Sequence, residues 1–256
     1  MSELYRLCEA GMSYNGAQVL RGVTLAFVPG ELVAVAGPNG AGKSTLLGIM
    51  AGVRLHYSGS CRFRGTEVRD WKRRAFAREV SFVPQTVKLD FPFTAEEVVL
   101  MGRTPHGAGL FDAPDDRAAV ERAMALTDTL KFRGRDVRSL SGGERQRVIL
   151  ASVLAQEPRV LLLDEPATFL DLEHQVAIYR LLRRLAGEGL LVVAATHDLN
   201  LAAACADRVI LLLRGQVVAD ASPAEVLTPD AIRKVFGVAA EVRRTPAGRP
   251  WILYGD

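Results

Sequence analysis

Between residues 23 and 27, Val23, Leu25 and Phe27 alternate with Thr24 and Ala26. A period of two predicts a strand with one face exposed. Other apolar runs do not alternate. Leu32 to Ala36, Val160 to Leu163 and Leu191 to Ala195 are short and apolar throughout. Runs of that kind predict strands buried on both faces, as in a parallel sheet. Ser81 to Val83 is strand-like and stops at Pro84, while Lys43 to Ala51 and Leu172 to Ala186 carry helical patterns. Arg214-Gly215 between Val209–Leu213 and Gln216–Ala219 reads as a hairpin. Helical patterns dominate from about Thr94 to Glu157, with loops at Thr104–Gly109 and Arg133–Arg138.

These elements predict one domain over 1–256: an α/β core with a helical lobe inserted at about 86–158. A short strand-rich tail follows at about 238–256, turning at Pro246-Ala247-Gly248, which leaves no room for a large appended regulatory domain. The composition, 49% hydrophobic and 24% charged, supplies a core and excludes a disordered chain. The net charge of +3 is too small to imply nucleic acid. Cys8, Cys61 and Cys205 form no CxxC pair, as suits a reducing compartment. No apolar run approaches the roughly 18 residues of a membrane span. Glu3, Arg6 and Glu9 interrupt any signal-peptide core. A soluble cytoplasmic protein is expected, able to dock on a membrane protein.

Chemistry enters with Gly37-Pro38-Asn39-Gly40-Ala41-Gly42-Lys43-Ser44, which fits G-x-x-x-x-G-K-[ST] after a buried strand and before a helix. Glycines let backbone N–H groups wrap a phosphate chain, and the helix start adds partial positive charge. Lys43 is placed to neutralise β/γ-phosphates and Ser44 to offer a hydroxyl to Mg²⁺. Downstream, the apolar run Val160 to Leu163 ends in Asp164-Glu165-Pro166. Strand C-termini of a parallel sheet gather at one edge, so Asp164 is a candidate Mg²⁺ holder and Glu165 a candidate to polarise a water. No N-K-x-D guanine reader occurs. Leu140-Ser141-Gly142-Gly143-Glu144 precedes Asp164, and His197 follows it. Ser141 and Glu144 have capping-box spacing, but a cap does not need two glycines in its first turn. A helix start that meets an anion does.

In this order of motifs the chain resembles the ATP-binding subunits of ATP-binding-cassette transporters over nearly its whole length. The resemblance implies a P-loop NTPase core with a mixed sheet, an antiparallel β subdomain and an inserted helical subdomain. It implies ATP and Mg²⁺ as cofactors, with Thr45 joining the loop residues around the phosphates. Tyr14 would stack on adenine, Gln85 would touch Mg²⁺ and the attacking water, and His197 would contact the γ-phosphate and hold Glu165. Asp171 corresponds to the acidic residue of the loop that links two ATP sites, and it also reads as a helix N-cap. Two copies would face head to tail, so that Ser141, Gly142, Gly143 and Glu144 meet the partner's ATP. The implied partners are a second copy, polytopic permease subunits and, indirectly, a periplasmic substrate-binding protein, with no nucleic acid. The implied place is peripheral, on the cytoplasmic face of the bacterial inner membrane.

Phe91-Pro92-Phe93-Thr94, the stretch Val98 to His106, Phe169 to Gln175 and His197 to Ala202 resemble the cassettes of iron-siderophore, haem and cobalamin importers. Haem is the first expectation among these cargoes. The rival reading is a non-transport cassette acting on nucleic acid or ribosomes. Three further features stay open. Phe91, Phe93, Val98 and Met101 are either lobe packing or a surface for a permease helix, with Arg103 pairing to an acid there. His174, three residues after Asp171, reads as a surface helix histidine rather than half of a metal pair. Arg69, Lys72, Arg73, Arg74 and Arg78 read as a solvated helix face or a contact to anionic lipid.

Overall fold

The computed structural model describes residues 3–107, 114–168 and 170–255. The end of the predicted Thr104–Gly109 loop and Phe169 lie outside them. The chain enters through an antiparallel hairpin, β1 (Tyr5–Tyr14) and β2 (Ala17–Phe27), then crosses to a second sheet with β3 (Leu32–Ala36). Helix α1 (Lys43–Met50) follows, and β4 (Ser58–Phe63) and β5 (Thr66–Glu67) return to the first sheet, whose order is β2-β1-β4-β5. Helix α2 (Arg73–Glu79) leads into β6 (Val80–Val83). Three helices form the insertion: α3 (Ala95–Met101), α4 (Pro114–Leu126) and α5 (Gly142–Ala155). Strand β7 (Val160–Asp164), helix α6 (Leu172–Gly187), β8 (Leu191–Thr196), α7 (Leu199–Cys205), β9 (Arg208–Leu213) and β10 (Gln216–Ala221) complete the core. Helices α8 (Pro223–Val226) and α9 (Pro229–Phe236) precede a terminal hairpin, β11 (Ala240–Arg244) and β12 (Pro250–Tyr254).

The second sheet has the order β10-β9-β3-β8-β7-β6 and is parallel except at β10. Its strands are apolar throughout because both faces are covered. Leu32, Ala34 and Ala36 pack towards the helices, whereas Val33 and Val35 pack towards α1 and the antiparallel sheet. Leu161 and Leu163 divide from Val160 and Leu162 in the same way. Each short apolar run is thus two alternating faces superimposed.

Strand β1 was not legible as a strand. Its alternation is broken by register shifts between Leu7 and Ala10 and between Ala10 and Met12, with Glu9 at a positive φ of 50°. Such a bulge puts the pattern out of phase. Helix α9 carries readable signals that the apolar-run reading passed over. Thr228 caps it, Pro229 stands in its first turn and Gly237 closes it in the left-handed region.

In the insertion, Val98 and Val99 pack with Val120, Met124 and Val148. Val98 therefore belongs to the lobe core, while Phe91 and Met101 stay exposed, at 69% and 44%. Arg103 corrects the expectation of an outward pairing. It is buried, donating from Nε to Asp116 at 2.7 Å and from Nη1 to the Ala155 carbonyl at 2.8 Å and Glu157 at 2.9 Å. It joins the end of α3 to α4 and α5. Removing one partner of a buried pair strands the other charge, so Arg103→Ala is expected to lower stability by about 3–5 kcal/mol in urea unfolding. A much smaller loss would mean that Asp116 and Glu157 are solvated without it.

Candidate active site

The carboxyl ends of β3, β7 and β8 put the sequence-predicted groups at one edge of the sheet. After β3 the chain turns through Gly37–Gly42 into α1, whose N-cap, Gly42, sits at φ 107° and offers no side chain to the first-turn amides. A Cβ there would meet the Leu20 side chain at 2.7 Å. Gly40 also has a positive φ, 77°, but nothing lies within 4 Å of its missing Cβ. The loop is pressed against β2 on one side and open on the other, leaving uncapped N–H groups facing the open side. The hollow measures about 350 Å³ and is lined by Val19, loop residues 39–45, Gln85 and Glu165. Val19 came only with the fold, since nothing in a β2 valine signals a nucleotide.

Lys43 is 6% exposed, and its Nζ donates to the Gly37 carbonyl at 2.9 Å and the Pro38 carbonyl at 3.3 Å. It lies 4.0 Å from Glu165 Oε1. Burial lowers the ammonium pKa below its ordinary value, against the carboxylates of Glu165 and Asp164. Asp164 closes β7 at 5% exposure. Burial raises its carboxyl above the ordinary range, with the Ser44 hydroxyl and Lys43 pulling down and Glu165 pushing up. Its Oδ1 is buried with no hydrogen-bond partner.

That orphaned oxygen tests the fit of a metal. A buried acceptor without a donor is costly unless a cation or water meets it. Asp164 and the adjacent Ser44 hydroxyl are hard oxygen donors of the kind Mg²⁺ uses, with phosphate and water completing its shell. No group of three or more His, Cys, Asp or Glu side chains able to hold a metal by itself exists among the described residues. The residues fit a cation that arrives with phosphates.

Glu165 occupies the left-handed region at φ 54°, a strained conformation for a side chain of this kind. Its amide donates to Ala195 of β8 at 3.1 Å, which locks the turn. Its Oε2 accepts from Gln85 Nε2 at 3.2 Å and Thr168 Oγ1 at 3.0 Å and lies 3.3 Å from His197 Nδ1. Gln85, Glu165 and His197, far apart in the chain, are thus one cluster. Thr168 was missed, though its i+3 spacing from Glu165 was there to notice.

Other predicted residues lie elsewhere. Tyr14, at the end of β1, does not line the hollow. The Arg54 guanidinium lies 5.4 Å from its ring centroid, and its hydroxyl is buried without a partner. Ser141 caps α5 in a full capping box, accepting from the Glu144 amide at 3.3 Å while Glu144 accepts from the Ser141 amide at 2.8 Å. With Gly142 and Gly143 they stand on the insertion, outside this hollow. Asp171 caps α6, accepting from the His174 amide at 3.0 Å.

A phosphate-wrapping loop over a buried lysine, with a carboxylate cluster beyond it, is the arrangement of a P-loop NTPase site. Residues 20–168 match the ABC transporter family. The chain belongs to that family, as one of its ATP-hydrolysing subunits. The Hemin import ATP-binding protein HmuV of Streptomyces coelicolor is 48% identical over 228 residues, 89% of this chain and 81% of that protein. The Cobalamin import ATP-binding protein BtuD of Halobacterium salinarum is 46% identical over 91% of this chain, which spans 58% of that protein. A solved metal-chelate type ABC transporter in an inward-facing conformation matches at a TM-score of 0.86 and 25% identity, covering 100% of this chain and 98% of that one. An ATP-binding cassette solved as a dimer after hydrolysis, with ADP and phosphate, matches at 0.76 and 28% identity, covering 86% and 98%. No described helix is long and apolar enough to cross a membrane.

The buried Asp164 carboxylate, whose Oδ1 has no hydrogen-bond partner, disfavours the protein without nucleotide. Asp164→Asn is therefore expected to raise its stability by about 1 kcal/mol while ATPase activity collapses. Thermal unfolding without nucleotide, paired with phosphate release, checks both. A destabilised variant would mean that the carboxylate is satisfied after all.

Proposed function

We propose that this subunit hydrolyses ATP to drive import of a metal chelate, with haem as the first candidate, through a membrane transporter. The Glu165 cluster is the single observation that carries the hydrolytic reading. The import reading is supported by the haem- and cobalamin-import relatives and the metal-chelate transporter neighbour. In this reading residues 37–45 wrap the phosphates, Lys43 neutralises β/γ oxygens and Tyr14 carries adenine. Ser44, Asp164 and Gln85 would hold Mg²⁺, which when bound withdraws charge from the phosphates. Glu165 Oε2 accepts the proton of the attacking water, with Gln85 and His197 fixing the carboxylate and that water.

Two copies close head to tail over two nucleotides, each lending Ser141, Gly142, Gly143 and Glu144 to the other's ATP. Asp171 lies on the loop between the two sites. The dimer sits on the cytoplasmic face of the membrane against polytopic permease subunits, which receive cargo from a periplasmic binding protein. The exposed Phe91 and Met101 are the proposed permease contact, since an apolar centre suits a partner helix.

Glu165→Gln is expected to keep ATP affinity, to lose hydrolysis by about 100-fold or more, and to persist as an ATP-bound dimer, because an amide cannot take the proton. Hydrolysis near the parent rate would remove Glu165 from the base role. Sharing between chains has its own test. A chain with Lys43→Ala mixed with one carrying Ser141→Arg yields dimers with one intact site. Partial recovery of ATPase is the expected result, and proven mixed dimers without recovery would count against shared sites. Met101→Asp, which leaves Arg103 alone, should keep basal ATPase and lower haem uptake into vesicles holding the assembled transporter. Unchanged uptake places the coupling surface elsewhere.

A further inference from the structure

The two glycines of the Leu140–Glu144 segment are free for different reasons. Nothing lies within 4 Å of the missing Cβ of Gly142. At Gly143 a Cβ would sit 2.5 Å from His174 Cδ2, 2.7 Å from Cγ and 3.0 Å from Nε2. Gly143 is in the first turn of α5 and has no positive φ, so its backbone does not call for glycine. The imidazole does, because it occupies the space of a side chain.

That ring is held in place. The His174 amide donates to Asp171 Oδ1 at 3.0 Å, and Nδ1 contacts the same oxygen. These two contacts hold the Asp171 carboxyl below the usual range, the backbone bond first. The next residue, Gln175, donates from Nε2 to the Leu170 carbonyl at 3.0 Å and the Ala167 carbonyl at 3.3 Å. Thr168, between them, is bonded to Glu165. Thr168 is therefore tied to the Glu165 carboxylate and Asp171 to His174. Beyond His174 stands the start of α5.

We infer that His174 is a positioning residue, a spacer whose ring sets how closely the N-terminal turn of α5 approaches α6. It thereby aims the Ser141–Glu144 donors at the nucleotide they serve. This rests on the head-to-tail reading, in which those donors act on the partner's ATP. Packed neighbours carry such a placement as a discrete arrangement rather than a graded one. Small misplacements of donors are costly, since 1 Å can cost about 100-fold in rate.

The test is a double-variant cycle on the full subunit, with steady-state kcat and the ATP affinity of the isolated chain as readouts. Gly143→Ala alone forces a methyl into the ring and is expected to cut kcat by about 30-fold, while His174→Ala alone cuts it by about 10-fold. With His174→Ala present, Gly143→Ala should cost under about 3-fold more, because the methyl then has room. ATP affinity of the isolated chain should stay at the parent value throughout. Equal costs of Gly143→Ala in both backgrounds overturn the spacer.

His174→Asn keeps a donor near Asp171 but lacks the far side of the ring, and His174→Phe keeps the ring without the donor. The spacer reading expects His174→Phe to retain more kcat than His174→Asn, and the reverse order overturns it. These two serve where an alanine variant fails to fold. Dimer formation by Glu165→Gln with ATP separates the two levels. If that parent forms no dimer, the head-to-tail reading fails. If it forms one and adding His174→Ala leaves its dissociation constant unchanged, the positioning role fails alone.

Discussion

Lys43, Asp164 and Glu165 bring one positive and two negative charges together at 6%, 5% and 10% side-chain or residue exposure. Groups that far from water are costly unless something compensates them. Within one chain the compensation is incomplete. Lys43 borrows two loop carbonyls, Glu165 borrows three side chains, and one oxygen of Asp164 has nothing. The rest of the fold holds this arrangement in place. Strands β3, β7 and β8 are buried on both faces, so their ends cannot drift, and the Glu165–Ala195 backbone bond ties two of those ends together. In the proposed reading a cation arriving with the phosphates would supply the missing positive charge beside Asp164, while Lys43 would meet the phosphates.

How much of this was legible depended on whether a feature is local. The loop 37–44, the strand ending in Asp164-Glu165 and the Ser141–Glu144 capping box are contiguous patterns, and the structure realises each as read. The buried strands were legible because a strand covered on both sides has no polar alternation. Strand β1 was hidden by its own bulge, where the period slips at Glu9. Val19 joins the pocket through tertiary approach, which no residue type announces, whereas Thr168 reaches Glu165 from only three residues away.

Arg103 marks a different limit. The residues before it, Val98 to Met101, are apolar, and an arginine after exposed-looking apolar residues reads as an interface. Its partners lie 13 and 54 residues away, Asp116 on α4 and Glu157 in the loop after α5. Charge pairing over such separations is invisible in one sequence. The same stretch therefore divides: Val98 and Arg103 hold the insertion together, and Phe91 and Met101 stay exposed.

The glycines of the insertion carry this division into the mechanism. A motif of two adjacent glycines looks like one requirement, close approach of a phosphate, yet only Gly142 is open. Gly143 is small because α6 pushes an imidazole against it. Helix α6 starts seven residues after Glu165, and its His174 abuts the Gly143 turn that, in the head-to-tail reading, would be lent to a second copy. In the head-to-tail reading a single chain would supply the back of one site and the front of another. Closing two such chains head to tail would bring four halves into register at once.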